Sequence, residues 1–256
     1  MGRRVLALAF EDADVEVIAA IEHPDSDVIG QDTATISGTP PTGVSISDQW
    51  PHYAAAVIDF SLPAALDGVV GKASAAKIPL VIATTGLSPI QLQSLRSAAE
   101  TLPIVFAPSM SMAVNVTMRM CQQITEALKG VHGGIDVEIL ERHHRFKADA
   151  PSGTALRFGE LIAEKMDGEV DHVHGREGET GARPQNQIGY HAIRVGDNPG
   201  EHTIVFGMMG ERIEINVAAS NRDCYAAGAI AAAKWIQDKP PGLYSMFDVL
   251  GFDDAS

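Results

Sequence analysis

Residues 78–108 read IPLVIATTGLSPIQLQSLRSAAETLPIVFAP. Two apolar runs of strand length, IPLVIATTG (78–86) and LPIVFAP (102–108), enclose a segment of helical character, SPIQLQSLRSAAETL (88–102). Strand, helix and strand in so short a span form the unit of a parallel sheet with a crossover helix. Both runs are apolar almost throughout, as in strands covered on both faces. Upstream, VEVIAAIE (15–22) and AAVIDF (55–60) repeat the strand pattern, and LPAALDGVVGKASAAK (62–77) repeats the helical one. Ligands of such sheets sit beyond the carboxyl ends of the strands, which singles out Glu22 and His23, Phe60 and Ser61, Thr84 to Gly86, and Ala107 to Met110.

Past a helix expected over VNVTMRMCQQITEALKG (114–130), the pattern changes. DVEILERHH (136–144) reads as a strand, and TALRFGELIAEKM (154–166) as a helix with Ala155, Phe158, Ile162 and Met166 on one side. Three further strands, QIGYHAIR, HTIVFGMM and ERIEINVAAS, follow closely, and the turns GDNPGE (196–201) and MGE (209–211) between them suit antiparallel hairpins. The expected organisation is an α/β, parallel-sheet domain of residues 1–111 and 222–256 and a second domain of α+β character over 112–221. The stretch CYAAGAIAAAKWIQDKPPGLYSMFDVLG (224–251) reads as a helix that packs back on the first domain.

Composition narrows the function. Nineteen basic and 33 acidic residues give a net charge of −14, so the average surface repels nucleic acid, and an anionic ligand needs a local basic cluster. Cys121 and Cys224 alone make no disulfide framework and fit a reducing cytosol. No apolar run reaches membrane-spanning length, and MGRRVLALAFEDAD turns acidic too soon for an export signal. A cytoplasmic protein without membrane or nucleic-acid partners is expected.

The basic cluster lies in ERHHRFKADAPSGTA (141–155). Pro151 and Gly153 bracket Ser152, and Thr154 opens a helix, so backbone N–H groups and hydroxyls converge at a positive dipole end that suits a carboxylate or phosphate. Lys147 and Arg145 add positive charge, and His143 and His144 add groups that exchange protons near neutral pH. Neighbouring residues of a strand point to opposite faces, so both histidines serve one pocket only if the strand breaks there. Helix capping alone does not require these basic residues. A zinc site would need further ligands, and neither cysteine offers the spacing, so no metal is expected.

HHRFKADAPSGTA (143–155) closely resembles the signature of the dihydrodipicolinate reductase family of bacterial diaminopimelate and lysine biosynthesis. VIDFSLP, ATTGLS, VFAPSMSMAVN, GREGETGARP, IGYHAIRVGDNPGEHT, GERIEI and KPPGLYSMFDVLG look like family segments in family order. The resemblance implies a Rossmann-like domain that binds NADH or NADPH, and a second domain that binds a cyclic dicarboxylate and forms a homotetramer through its sheet. It implies the reduction of 4-hydroxy-tetrahydrodipicolinate to tetrahydrodipicolinate. Carried over by position, it makes His143 and Lys147 catalytic and His144, Gly153 and Thr154 substrate-binding. Glu22 then holds the adenine ribose, Ala83, Thr84 and Thr85 lie near the nicotinamide, and Ala107, Pro108, Ser109 and Met110 form a further cofactor loop.

There are three departures from the family pattern. Ala83 stands where glycine is usual, and His23 replaces an arginine often used for the ribose phosphate of NADPH, which tilts the expectation toward NADH. The family begins with a strand and a Gly-rich turn, whereas this chain begins MGRR, so a parallel sheet without its first strand is expected. The alternative reading is a protein that binds the dicarboxylate, or scaffolds a tetramer, without reducing it.

Overall fold

The computed structural model describes residues 1–252; the last four residues of the expected 222–256 segment lie outside the described residues. The chain divides into two compact units, one of residues 1–112 with the segment from Arg222 onward, the other Ala113–Asn221. In chain order the first unit opens with α1 (Gly2–Glu11), β1 (Ala20–Ile21), α2 (Ala34–Ser37), β2 (Ile46–Ser47) and β3 (Val57–Asp59). It continues through α3 (Leu66–Ala76), β4 (Leu80–Ile82), α4 (Pro89–Ala99) and β5 (Pro103–Phe106). Helix α5 (Met112–Leu128) leads into the second unit, with β6 (Asp136–His143), α6 (Gly153–Ala163), β7 (Asp171–His174), β8 (Gln187–Arg194), β9 (Glu201–Met208) and β10 (Glu211–Ala218). The chain returns to the first unit with α7 (Asp223–Ile236), β11 (Gly242–Tyr244) and α8 (Met246–Val249).

The first unit is built on a parallel sheet in the order β11-β5-β4-β3. Its apolar runs divide their side chains by the period of two: Leu80, Ile82 and Ile104 pack with Leu66, Val70, Ala73, Leu95 and Ala99 of α3 and α4. Val81, Ala83, Val105 and Ala107 pack on the opposite face with Ala229, Ala232 and Ile236 of α7. Full burial of one such aliphatic side chain contributes about 1.5–3 kcal/mol. Helix α4 begins where the sequence dictates: Ser88 accepts from the Gln91 N–H, Gln91 returns the bond, and Pro89 occupies the first turn. Helix α7 lies tight against the loop that follows β5, because a Cβ on Gly228 would lie 1.7 Å from the Met110 carbonyl oxygen.

Of VEVIAAIE, only Ala20–Ile21 is strand, paired in parallel with Ile46–Ser47. No ladder joins this pair to β3, so among the described residues the parallel strands form two separate sheets. A strand extends only as far as a neighbour takes its backbone bonds. Helix α1 is held by α7 instead: Arg4 donates to both Asp223 oxygens at 2.6 and 2.8 Å, and Lys234 meets Asp12 at 2.7 Å.

The second unit carries a mixed sheet in the order β10-β9-β6-β8-β7. The sequence led us to expect two successive hairpins, but only β9 and β10 form one, because β6 lies between β8 and β9. The six residues between Arg194 and Glu201 are long enough to cross one strand, a span of about 10 Å between second neighbours. A two-residue turn such as Met209–Gly210 forces pairing. Helix α6 covers one face with Ala155, Phe158, Leu161 and Ile162, over Val137, Ile139, Ile188, Tyr190, Ile204 and Phe206. It ends at Ala163, so Met166 lies beyond the helix rather than on its inner stripe.

Candidate active site

The stretch that drew attention in the sequence lies where β6 gives way to α6. Val137, Ile139, Glu141 and His143 alternate onto the covered face of β6, and the last two bring ionisable groups into the apolar layer. The strand ends at His143, and a turn follows in which the Lys147 N–H donates to the His144 carbonyl. The strand therefore breaks between the two histidines.

His143 is buried, and its Nδ1 lies 2.6 Å from Glu141 Oε2. Glu141 is 1% exposed and also accepts two bonds from Arg194 of β8, both at 2.7 Å. Its Oε1 accepts a fourth, from the Ser152 backbone N–H at 3.0 Å. Ser152 is the cap of α6, accepting from the Ala155 N–H through its hydroxyl oxygen, which also lies 3.1 Å from His202 Nε2 of β9. The His143 and His202 rings meet edge to face at 5.2 Å. Gly200, at φ +152°, lies so close that a Cβ there would be 3.0 Å from His143 Nε2.

Burial pushes the His143 imidazole below its ordinary value, against the opposing pull of Glu141. Burial, helped by the neighbouring His143, pushes His202 down to about 4, so it is neutral at physiological pH. It is then available to accept the Ser152 hydroxyl proton. Burial works to raise the Glu141 carboxyl, but Arg194 and His143 outweigh it and keep the group below the usual carboxylate range. Lys147 pairs with Asp149 at 2.8 Å and is half-buried. His144 carries an Nδ1 that is buried without a hydrogen-bond partner. Gly153 and Thr154 occupy the first turn of α6, where helix N–H groups point outward.

The structure thus joins His143 to Ser152 at the entrance of α6 through two residues that sequence reasoning passed over, Glu141 and Arg194. Glu141 was accessible to it, because two residues before His143 on one strand means the same face. His202, within the EHT of residues 201–203, completes the group. Arg183 lies on the other face of the sheet, donating to Glu138, Asp136 and the carbonyls of Val137, Pro184 and Gln187.

In the first unit the expected cofactor residues all lie at carboxyl ends of strands. Glu22 follows β1 and is exposed, with one carboxylate oxygen accepting the His23 N–H. Ala83, Thr84 and Thr85 follow β4, and Ala107, Pro108, Ser109 and Met110 follow β5. Thr84 is buried and donates to Asp59 Oδ2 at 2.9 Å, which ties its loop to the end of β3. The Ser61 hydroxyl, just past β3, is buried without a partner. An exposed carboxylate and an orphaned hydroxyl at these strand ends fit a dinucleotide, whose ribose and phosphates need such groups.

A parallel sheet with such strand ends, in one chain with a mixed-sheet unit whose charged cluster abuts a helix start, defines a Rossmann-type oxidoreductase. The family model described as dihydrodipicolinate reductase, N-terminus, matches residues 1–110, and that described as dihydrodipicolinate reductase, C-terminus, matches 113–250. A 4-hydroxy-tetrahydrodipicolinate reductase of Rhodopirellula baltica is 64% identical, over 99% of this chain and 93% of its own. One from Alkalilimnicola ehrlichii is 43% identical, over 98% and 95%. A dipicolinate-bound dihydrodipicolinate reductase from a Paenisporosarcina species shares the fold, with TM-score 0.75 at 23% identity over 96% of this chain and 94% of that one. A probable dehydrogenase from Thermotoga maritima shares it more loosely, with TM-score 0.60 at 11% identity over 96% and 88%. The chain belongs to the dihydrodipicolinate reductase family. It is an oxidoreductase of the nicotinamide-dependent kind, and the binding or scaffold alternative gives way to that match across both halves. No helix among the described residues is long and apolar enough to cross a membrane.

Proposed function

We propose that this protein reduces 4-hydroxy-tetrahydrodipicolinate to tetrahydrodipicolinate in the cytoplasm, as a step of diaminopimelate and lysine biosynthesis. The observation that carries the reading is the helix entrance Ser152-Gly153-Thr154, tied through a buried carboxylate to His143, in a chain of this family. One substrate carboxylate docks on the N–H groups of Gly153 and Thr154, where the helix dipole favours an anion. Lys147 supplies the cation for the dicarboxylate, and His144 offers its unsatisfied Nδ1 to the ring or its substituents. Loss of water from the hydroxylated ring precedes reduction. A bound reduced nicotinamide supplies the hydride. His143 then delivers a proton to the conjugated imine system, where negative charge develops.

Glu22 would hold the adenine ribose, and the loops after β4 and β5 the nicotinamide end. The preferred cofactor is NADH, because His23 stands where an arginine would meet the ribose phosphate. Steady-state kinetics with both nucleotides test this: kcat/KM is higher with NADH. A preference for NADPH overturns the cofactor choice, and no turnover with either overturns the reaction. Assembly is as a homotetramer through the sheet face not covered by α6, where Glu138 gathers Arg176, Arg183 and His191. Light scattering coupled to gel filtration reads the mass directly, and a monomer refutes it.

A further inference from the structure

We propose that Glu141 is a positioning residue that sets the proton-carrying ring and the carboxylate-binding helix start from one buried group, with Arg194 as its counter-ion. The proposal rests on the reading of His143 as proton donor and of α6 as carboxylate cradle. Each Glu141 oxygen takes two bonds: Oε2 from His143 Nδ1 and Arg194, Oε1 from the Ser152 N–H and Arg194. Arginine and a backbone N–H can only donate, so the carboxylate is ionised and filled, and the bond to Nδ1 is one in which the ring donates. That fixes the tautomer of His143 and leaves Nε2 as the only atom through which it exchanges protons. The backbone of Gly200 lies against the Nε2 edge, which limits ring rotation from the other side.

The same carboxylate fixes the helix start. Ser152 donates its N–H to Glu141 and spends its hydroxyl on capping Ala155 and on His202, so the residue before Gly153 and Thr154 is held at three points. A buried ion pair gives little net stability over well-packed apolar side chains, which makes stability alone a poor explanation for it. The charged and titratable groups facing His143 are Glu141 on its own strand, Arg194 from β8, His202 from β9 and Lys147 from the following turn. Glu141 favours the protonated ring, while Arg194 and Lys147 disfavour it.

Opposite substitutions in the full chain separate positioning from mere support. Glu141→Gln places an NH2 group among donors, and Arg194→Gln removes the cation while leaving the carboxylate. Glu141→Gln lowers kcat about 100-fold, weakens binding of pyridine-2,6-dicarboxylate about tenfold, and moves the His143 limb of the pH–rate profile to lower pH. Arg194→Gln moves that limb to higher pH. The ring-nitrogen NMR spectrum of His143 shows Nδ1 protonated in the wild type and a mixture of tautomers in Glu141→Gln. In a His143→Gln background, Glu141→Gln costs little further rate but still weakens the dicarboxylate. A folded Glu141→Gln protein with wild-type rate and tautomer overturns the proposal, as does loss of rate in both variants with the limb unmoved. If Glu141→Gln does not fold, the direction of the limb in Arg194→Gln decides. If the wild type does not turn over, the reaction assignment fails, while the NMR spectrum and the dicarboxylate titration still decide the role of Glu141.

Discussion

His143 and Lys147 lie four positions apart, yet the fold treats them differently: one is buried against a carboxylate, the other pairs with Asp149 at the margin. The two substitutions should therefore differ in kind. His143→Gln lowers kcat by about two to four orders of magnitude with little change in melting temperature, the scale of a lost general acid. Lys147→Ala raises KM as well, because it removes a cation beside a carboxylate. Steady-state kinetics on both variants check this, and wild-type parameters in either refute that assignment. His202 makes a prediction about stability. Its value falls from an ordinary 6.5 to about 4 on folding, so the unfolded chain takes up the proton first as pH drops. Stability is complete above about 6.5 and is lost as pH falls toward about 4, by on the order of 3 kcal/mol. Urea titrations at pH 7 and pH 4.5 read the loss, and His202→Asn flattens it. At this scale the sequence revealed the ionisable chemistry of HHRFK and the helix start at PSGT, and the spacing of Glu141 from His143 puts both on one face of the strand. That this glutamate is ionised in an apolar layer becomes legible only once Arg194, 53 residues away, is known to lie beside it.

Among the elements, strands and helices of the parallel sheet were legible because each apolar run is bounded by a cap or a turn, as Ser88 bounds α4. The position of β6 between β8 and β9 was not. Alternation specifies which face a side chain takes, and a six-residue connection leaves the neighbour of a strand unspecified. The shortness of β1 has the same origin, since pairing depends on a partner that local pattern does not contain. Close approach is equally hidden in the letters, and Gly228 is the clearest case. Gly228→Ala forces α7 away from the Met110 carbonyl and opens the layer of Ala229, Ala232 and Ile236 against β4 and β5. It lowers stability by about 3 kcal/mol, read as a lower urea midpoint at unchanged slope. An unaltered midpoint contradicts so tight a contact.

For the molecule as a whole, a net charge of −14 excludes a polyanion as general partner and makes the cluster around His143, Arg145 and Lys147 stand out as local reversal of sign. The family signature was readable across the chain because it is carried by residues whose chemistry is local. Residues 113–221 are contiguous, whereas the other unit is closed by Arg222 onward, with α1 clasped to α7 through Arg4–Asp223 and Lys234–Asp12. On the ribosome the inserted half can therefore finish folding while α1 still waits for its clasp, and the nascent chain must keep that helix from wrong company until the segment from Arg222 onward is translated.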